Sequence, residues 1–302
     1  MMRDDFCALI LTHGRPASVL TLTSLQSYGY TGKVYFVVDD EDKTLPEYRA
    51  LYGDRVLTFS KAEIAARFDE ADNFNDRRAI FYARNAAFDL ARSVGCRYFI
   101  QLDDDYISWY YRFGGTGEYG VFRLDPLDWI FERLVEYLAA TPFASIAISQ
   151  GGDHIGGGLA KKTISAKRKA MNTFVCDTER RFAFVGRVNE DVNTYVAEQR
   201  RGVSFLTFMS AQVNQRATQT AAGGMTDLYR DSGTYVKSFY SVMLAPSCVR
   251  VSELGDPRVE GVGHRRLHHL IDWNAAAPLI LEERHRKPDA KPKRARKAKA
   301  SA

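Results

Sequence analysis

The chain has no apolar run approaching the roughly 18 residues that a membrane-spanning helix needs, which excludes a helical span. Its opening, Met1-Met2-Arg3-Asp4-Asp5, lacks the basic start and apolar stretch of a secretory signal. Cysteine is scarce. Cys7, Cys96, Cys176 and Cys248 lie far apart and form no CxxC pair, so neither zinc-site spacing nor a disulfide framework is present. The simplest account is buried free thiols in a reducing compartment. There is no internal repeat. These absences together predict a soluble, cytoplasmic protein with no membrane partner, and they leave its oligomeric state open.

What is present suits a folded globular chain. The 302 residues, 45% hydrophobic, are enough for one large α/β domain or two small ones. The net charge of +5 is uneven. From Arg284 to Ala302 the chain is dense in Lys and Arg and almost without large apolar side chains. Such a segment cannot bury enough surface to offset chain entropy, so residues 284–302 are expected to be a disordered basic tail on a folded body of residues 1–283. Its charge suits a polyanion or, more plainly, solubility.

Hydrophobic patterning predicts alternating strands and helices. Phe6–Leu11, Val34–Val38, Val56–Phe59, Tyr98–Leu102 and Ala144–Ser149 read as buried strands. Ala17–Ser27, Lys61–Phe68 and Arg77–Val94 read as helices, and Asp125-Pro126-Leu127-Asp128 opens another with an N-cap Asp and a Pro at the first helical position. Buried strands alternating with helices imply a mainly parallel sheet flanked by helices. After about Thr163 the pattern becomes irregular, as if that half elaborates the same domain.

The chemistry collects at strand ends. Tyr98–Leu102 runs straight into Asp103-Asp104-Asp105. Three adjacent acids repel one another, and a divalent cation would remove the repulsion. In open α/β sheets ligands lie beyond the carboxyl ends of the strands. A metal–diphosphate site is the sharp reading, and a solvated acidic turn the bland one. Thr12-His13-Gly14-Arg15 and Asp39-Asp40 follow two other strands and would emerge on the same edge. Arg15 has the fork that suits phosphate oxygens, and Asp39 or Asp40 could accept from a ribose or a base. Arg84, on the helix before the acids, could reach back to a phosphate or to the acids themselves, or lie on a solvated face.

Farther on, Asn189-Glu190-Asp191 reads as an N-cap and acidic first turn. Ordinary helix electrostatics explains it, and so does a general base supplied by Glu190 or Asp191. His264, in a glycine-flexed basic loop, could ligate a metal or be a plain exposed histidine. Lys161, Lys162, Lys167, Arg168 and Lys169 could hold a nucleic-acid backbone or lie on a solvated loop.

Taken together these elements resemble the GT-A glycosyltransferases. More narrowly, Ala83-Arg84-Asn85, Gln101–Tyr106, the Gly151–Gly158 loop and Val185–Asp191 resemble the TET-associated glycosyltransferases of phages, relatives of the base J glucosyltransferase. The resemblance covers about residues 5–275. It implies a Rossmann-like nucleotide-sugar fold, a Mn2+ or Mg2+ ion held by Asp103, Asp105 and His264, and donor contacts from Thr12, His13, Arg15, Asp39, Asp40, Arg84, Asp103 and Asp104. It also implies Asp191 as base beside Glu190. The expected reaction moves a sugar from a UDP-sugar, UDP-glucose first, to a 5-hydroxymethylpyrimidine in DNA. A glycan or protein acceptor would explain the acids equally well, though not the basic segments. A nucleotidylyltransferase would open with a longer glycine-rich loop than Thr12–Pro16. A non-catalytic DNA-binding module would leave the three acids unexplained.

Overall fold

The computed structural model describes residues 2–72, 76–113, 120–154, 173–216, 236–254 and 266–276. β1 (Phe6–Leu11), β2 (Lys33–Asp39), β3 (Val56–Phe59) and β4 (Tyr98–Asp103) run parallel in the order β3-β2-β1-β4. The sheet continues through β8 (Phe174–Asp177), β7 (Ser145–Gln150), β9 (Phe205–Gln215), β5 (Tyr106–Phe113) and β6 (Gly120–Arg123) to give nine strands. Only β8 and β5 run against the others. The expected mainly parallel sheet is therefore present, with two reversed strands.

β1 is buried along its whole length because helices cover both faces. Phe6, Ala8 and Ile10 point into one core with Trp109, Phe131 and Leu134, under α1 (Leu20–Ser27), α2 (Leu45–Tyr52) and α5 (Leu127–Ala140). Cys7, Leu9 and Leu11 point into the other, with Phe81, Phe88, Phe174 and Tyr195, under α3 (Lys61–Arg67), α4 (Phe81–Ser93) and α6 (Glu190–Gln199). This alternation is the two-residue period of a pleated strand. All four cysteines are buried and free, as their spacing predicts. Among the described residues no helix is long and apolar enough to cross a membrane.

Three differences from the sequence patterning have physical reasons. α5 begins at Leu127, with Pro126 in extended backbone at the cap. Asp125 therefore does not cap it, and the Asp128 carboxylate instead accepts from Thr31 N (2.8 Å) and Thr31 Oγ1 (2.6 Å). The second half is less irregular than its pattern, since β9 is an eleven-residue strand bent by a bulge where β7 slips from Ile148 to Ser149. A helix over 236–244, α7, packs against the start of α6. Beyond it β10 (Val249–Leu254) and β11 (Arg266–Ile271) pair antiparallel, and α8 (Trp273–Ala276) closes a small cluster with Val196 and Cys248.

Candidate active site

Because β1, β2 and β4 are parallel, their polar ends emerge on one edge of the sheet. The Thr12–Arg15 loop is held there by α2. Arg15 N donates to Tyr48 OH (3.0 Å), Tyr48 OH lies 2.7 Å from Thr12 Oγ1, and Thr12 Oγ1 donates to Asp104 Oδ2 at 2.7 Å. Thr12 has one hydroxyl proton and gives it to the carboxylate, so Tyr48 must donate to Thr12. Burial pushes the Tyr48 hydroxyl up to about 12, which keeps it a donor. Arg15 Nη2 lies 3.2 Å from Asp104 Oδ1. Asp104 is thus turned into the protein, where burial raises its pKa against the opposing pull of Arg15 and Thr12.

Asp39 is buried and doubly paired, with His13 Nδ1 at 2.7 Å and Lys61 Nζ at 3.1 Å. Burial would raise its pKa, but His13 and Lys61 outweigh it and hold it low. The hydrogen bond to Asp39 in turn raises the pKa of half-exposed His13. Asp40 is exposed and accepts from Lys61 N at 3.0 Å. Of the two acids, Asp40 stands open to a ligand, while Asp39 ties His13 to Lys61.

Arg84 is the centre of the arrangement. It is 1% exposed, with its guanidinium near the rings of Phe174 and Phe184. Its Nη2 donates to Asp103 Oδ1 and its Nε to Glu190 Oε1, both at 2.9 Å. One fork thereby joins the end of β4 to the start of α6. Burial works against its charge, yet Asp103 and Glu190 outweigh that and raise its pKa. Glu190 is buried too; burial raises its pKa, Arg84 opposes this, and the adjacent Asp191 adds to it. Both acids lie in the first turn of α6, where the helix dipole favours negative charge. Asn189 is the residue before that turn, with a left-handed φ of 56°. It does not cap α6. Its Nδ2 donates to Lys237 O (2.5 Å) and Ser241 Oγ (3.1 Å), which fastens α7 beside the acids.

Asp105 differs from its neighbours. Its Oδ1 is buried without a hydrogen-bond partner. Burial, then the charges of Asp103 and Asp104, push its pKa up to about 7. An orphaned carboxylate oxygen beside two more acids fits a divalent cation. Among the described residues no three acid, imidazole or thiolate groups form a ready-made shell, so most ligands would have to come from a bound diphosphate and water.

Residues 6–224 match the family model described as TET-Associated Glycosyltransferase. The chain belongs to that family. It is a glycosyltransferase, and the reading as a non-catalytic DNA-binding module falls away. No curated protein sequence matches it. In shape the glycosyltransferase is similar to glucosyl-3-phosphoglycerate synthase from Mycobacterium tuberculosis in complex with Mg2+ and UDP, at 10% identity and a TM-score of 0.45, over 89% of this chain and 88% of that one. The same enzyme in complex with Mn2+ and UDP-glucose is similar at 11% identity and a TM-score of 0.45, over 89% and 87%. Likeness of this size carries nothing about the chemistry of the site.

Of the residues singled out in the sequence, the glycosyltransferase brings Thr12, His13, Arg15, Asp39, Asp40, Arg84, Asp103, Asp104, Asp105, Glu190 and Asp191 to one region. His264, the Lys161, Lys162, Lys167, Arg168 and Lys169 cluster, and the basic tail lie outside the described residues. Sequence patterning missed Lys61 and Tyr48, which support the pocket from α3 and α2. Lys61 had one signal, a cation placed at a helix start where the dipole disfavours it.

Proposed function

We propose that this glycosyltransferase moves a hexose from a UDP-sugar, UDP-glucose first, to the hydroxymethyl oxygen of a 5-hydroxymethylpyrimidine in DNA. The observation that carries this reading is the Arg84 bridge, which binds Asp103 at the end of β4 to Glu190 at the start of α6 in a chain of this family. A site for a leaving diphosphate and a site for a proton acceptor are then neighbours on one rigid link.

Asp103 and Asp105 would hold a Mn2+ or Mg2+ ion, with His264 as a further ligand by family resemblance. When bound, the ion neutralises the diphosphate as a Lewis acid. Arg84 fixes the Asp103 rotamer through its hydrogen bond to Oδ1. Arg15 stands at the pocket mouth with a fork suited to phosphate oxygens. Glu190 is engaged by Arg84, and the family resemblance gives the part of base to Asp191. Asp191 takes the hydroxymethyl proton while the oxygen forms its bond to the anomeric carbon and the bond from that carbon to the diphosphate breaks. One such displacement inverts the anomeric centre. A duplex acceptor would have to be flipped out, at a cost of a few kcal/mol.

The test is incubation with hydroxymethylated and plain DNA and a panel of nucleotide sugars, followed by mass spectrometry of the nucleosides. A hexosyl adduct on hydroxymethylpyrimidine alone is the expected result. Sugar release to water with every DNA unmodified would end the DNA reading.

A further inference from the structure

β7 and β9 run in the same direction as β4, so their ends reach the edge that carries the acids. Gln215, the last residue of β9, is the register partner of Tyr106, and Arg216 N donates to Asp105 O at 2.9 Å. The end of β9 therefore lies directly beside Asp105.

Side-chain amides end these strands on both faces of the sheet, Gln212 and Asn214 on one face of β9 and Gln215 on the other. Arg112 Nε donates to Gln212 Oε1 at 2.6 Å, and Gln212 Nε2 donates to Asn214 Oδ1. Gln150 Nε2 donates to Gln215 Oε1 at 3.0 Å. Gly151 packs against the first of these chains, since a Cβ there would come within 3.5 Å of Gln212 Nε2 and 3.6 Å of Asn214 Oδ1. The direction of the first chain is set by chemistry. A guanidinium can only donate, so Gln212 must turn its oxygen to Arg112 and its NH₂ to Asn214. Asn214 must then turn its oxygen to Gln212, which leaves its own NH₂ as the donor on the far side of the amide. Gln212 is buried and locked, while Asn214, Gln215 and Gln150 are half-exposed. Such amides are poor at packing and good at reading a planar edge of mixed donors and acceptors, as they do with base edges.

We propose that these strand-end amides, with Asn214 as the fixed donor on one face and Gln150–Gln215 as the adaptable pair on the other, form an amide ledge along the sheet edge that reads the edge of the acceptor pyrimidine. It rests on the DNA reading above and adds which groups recognise the base. The hydroxyls of the donor sugar offer the same hydrogen-bond chemistry, and the test separates the two. Asn214 and Gln215 are bonded to Gln212 and Gln150, and the part assigned to them is recognition.

The full chain and its Asn214→Ala, Asn214→Asp and Gln215→Ala variants are compared on oligonucleotides carrying hydroxymethylcytosine or hydroxymethyluracil, and on donor hydrolysis to water without DNA. For Asn214→Ala, kcat/KM for DNA should fall about tenfold, the loss expected for one well-made hydrogen bond. Asn214→Asp, which keeps the shape and loses the N–H donor, should fall at least as far. Gln215→Ala should change the ratio of the two bases. Donor KM and donor hydrolysis should stay within about twofold, which also shows that the variants are folded. Donor hydrolysis falling in step with transfer would assign the ledge to the sugar and overturn the proposal. So would an active wild type whose variants transfer normally with an unchanged base ratio. A wild type that hydrolyses donor but modifies neither base would remove the DNA reading, and the ledge with it.

Discussion

At the scale of single residues, the proposed function gives Asp105 and Asp191 different parts, one toward a cation and one toward a proton. Asp105 is a liability without a cation. An unfolded Asp titrates near 4, whereas Asp105 in the metal-free fold titrates at about 7. Between these values the native state holds the proton that the unfolded state has released. Stability therefore falls as pH rises from about 4 to about 7, then levels off. Asp105→Asn removes this penalty. In metal-free protein the gain in Tm of the variant over wild type should be near zero at pH 4 and grow to a plateau above pH 7. Mn2+ with UDP should shrink that gain, because only the wild type binds the ion well. A gain that stays flat across the pH range would show that Asp105 is not strained. Asp191→Asn should instead lower kcat by roughly 10²-fold, with donor KM nearly intact. Glu190→Gln loosens Arg84 and should lower stability as well as rate. If Glu190→Gln is inactive and Asp191→Asn retains full kcat, the two roles are exchanged.

At the scale of elements, the start of α6 is set by the turn before it. Gly186 has φ +80°, and a Cβ there would lie 2.8 Å from Asn193 Nδ2 and 3.2 Å from Leu244. Asn193 cannot give way cheaply, since its Nδ2 donates to Val185 O and Val188 O and it is buried. Gly186→Ala should therefore cost at least about 1–2 kcal/mol from the left-handed backbone alone, with the contact added. Denaturant unfolding should show a lower midpoint with unchanged slope, and kcat should fall because Glu190 and Asp191 shift with the turn. A variant as stable as wild type would mean that the turn relaxes freely. The same elements show what was legible in sequence. β1, β4 and the buried half of β2 were readable because burial on both faces makes them continuous apolar runs, while β3, an edge strand with half-exposed side chains, was readable from its Val-Leu and Phe alone. β5 was not, since exposed Ile107 and buried Trp109 belong to a strand with no clean alternation. α7 hides its polar Ser238 and Ser241 and exposes Val236, Phe239 and Met243, so its pattern misleads. The acids stood out because they are consecutive. That Arg84 holds Glu190, 106 positions away, is a tertiary fact no local pattern contains.

At the scale of the whole molecule, the densest basic run lies far along the sequence from the acids at the sheet edge. The acids cluster at one sheet edge, where bare phosphate would be repelled, while residues 284–302 carry a dense run of Lys and Arg. We assign that segment to holding DNA near the site by charge alone. Each phosphate it neutralises adds about −0.9 to the slope of log K against log salt for duplex DNA. Removing residues 284–302 should weaken DNA binding at moderate salt and flatten that slope by several units. Turnover at saturating DNA should change little, because every residue given a catalytic part precedes the segment. The ratio of hydroxymethylated to plain DNA modified should also hold, since discrimination belongs to the pocket and counterion release is blind to sequence. Binding measured by anisotropy at several salt concentrations, beside steady-state transfer, separates the possibilities. An unchanged slope on truncation would make the segment a solubilising appendage, and the folded body would then have to supply the whole electrostatic grip on DNA.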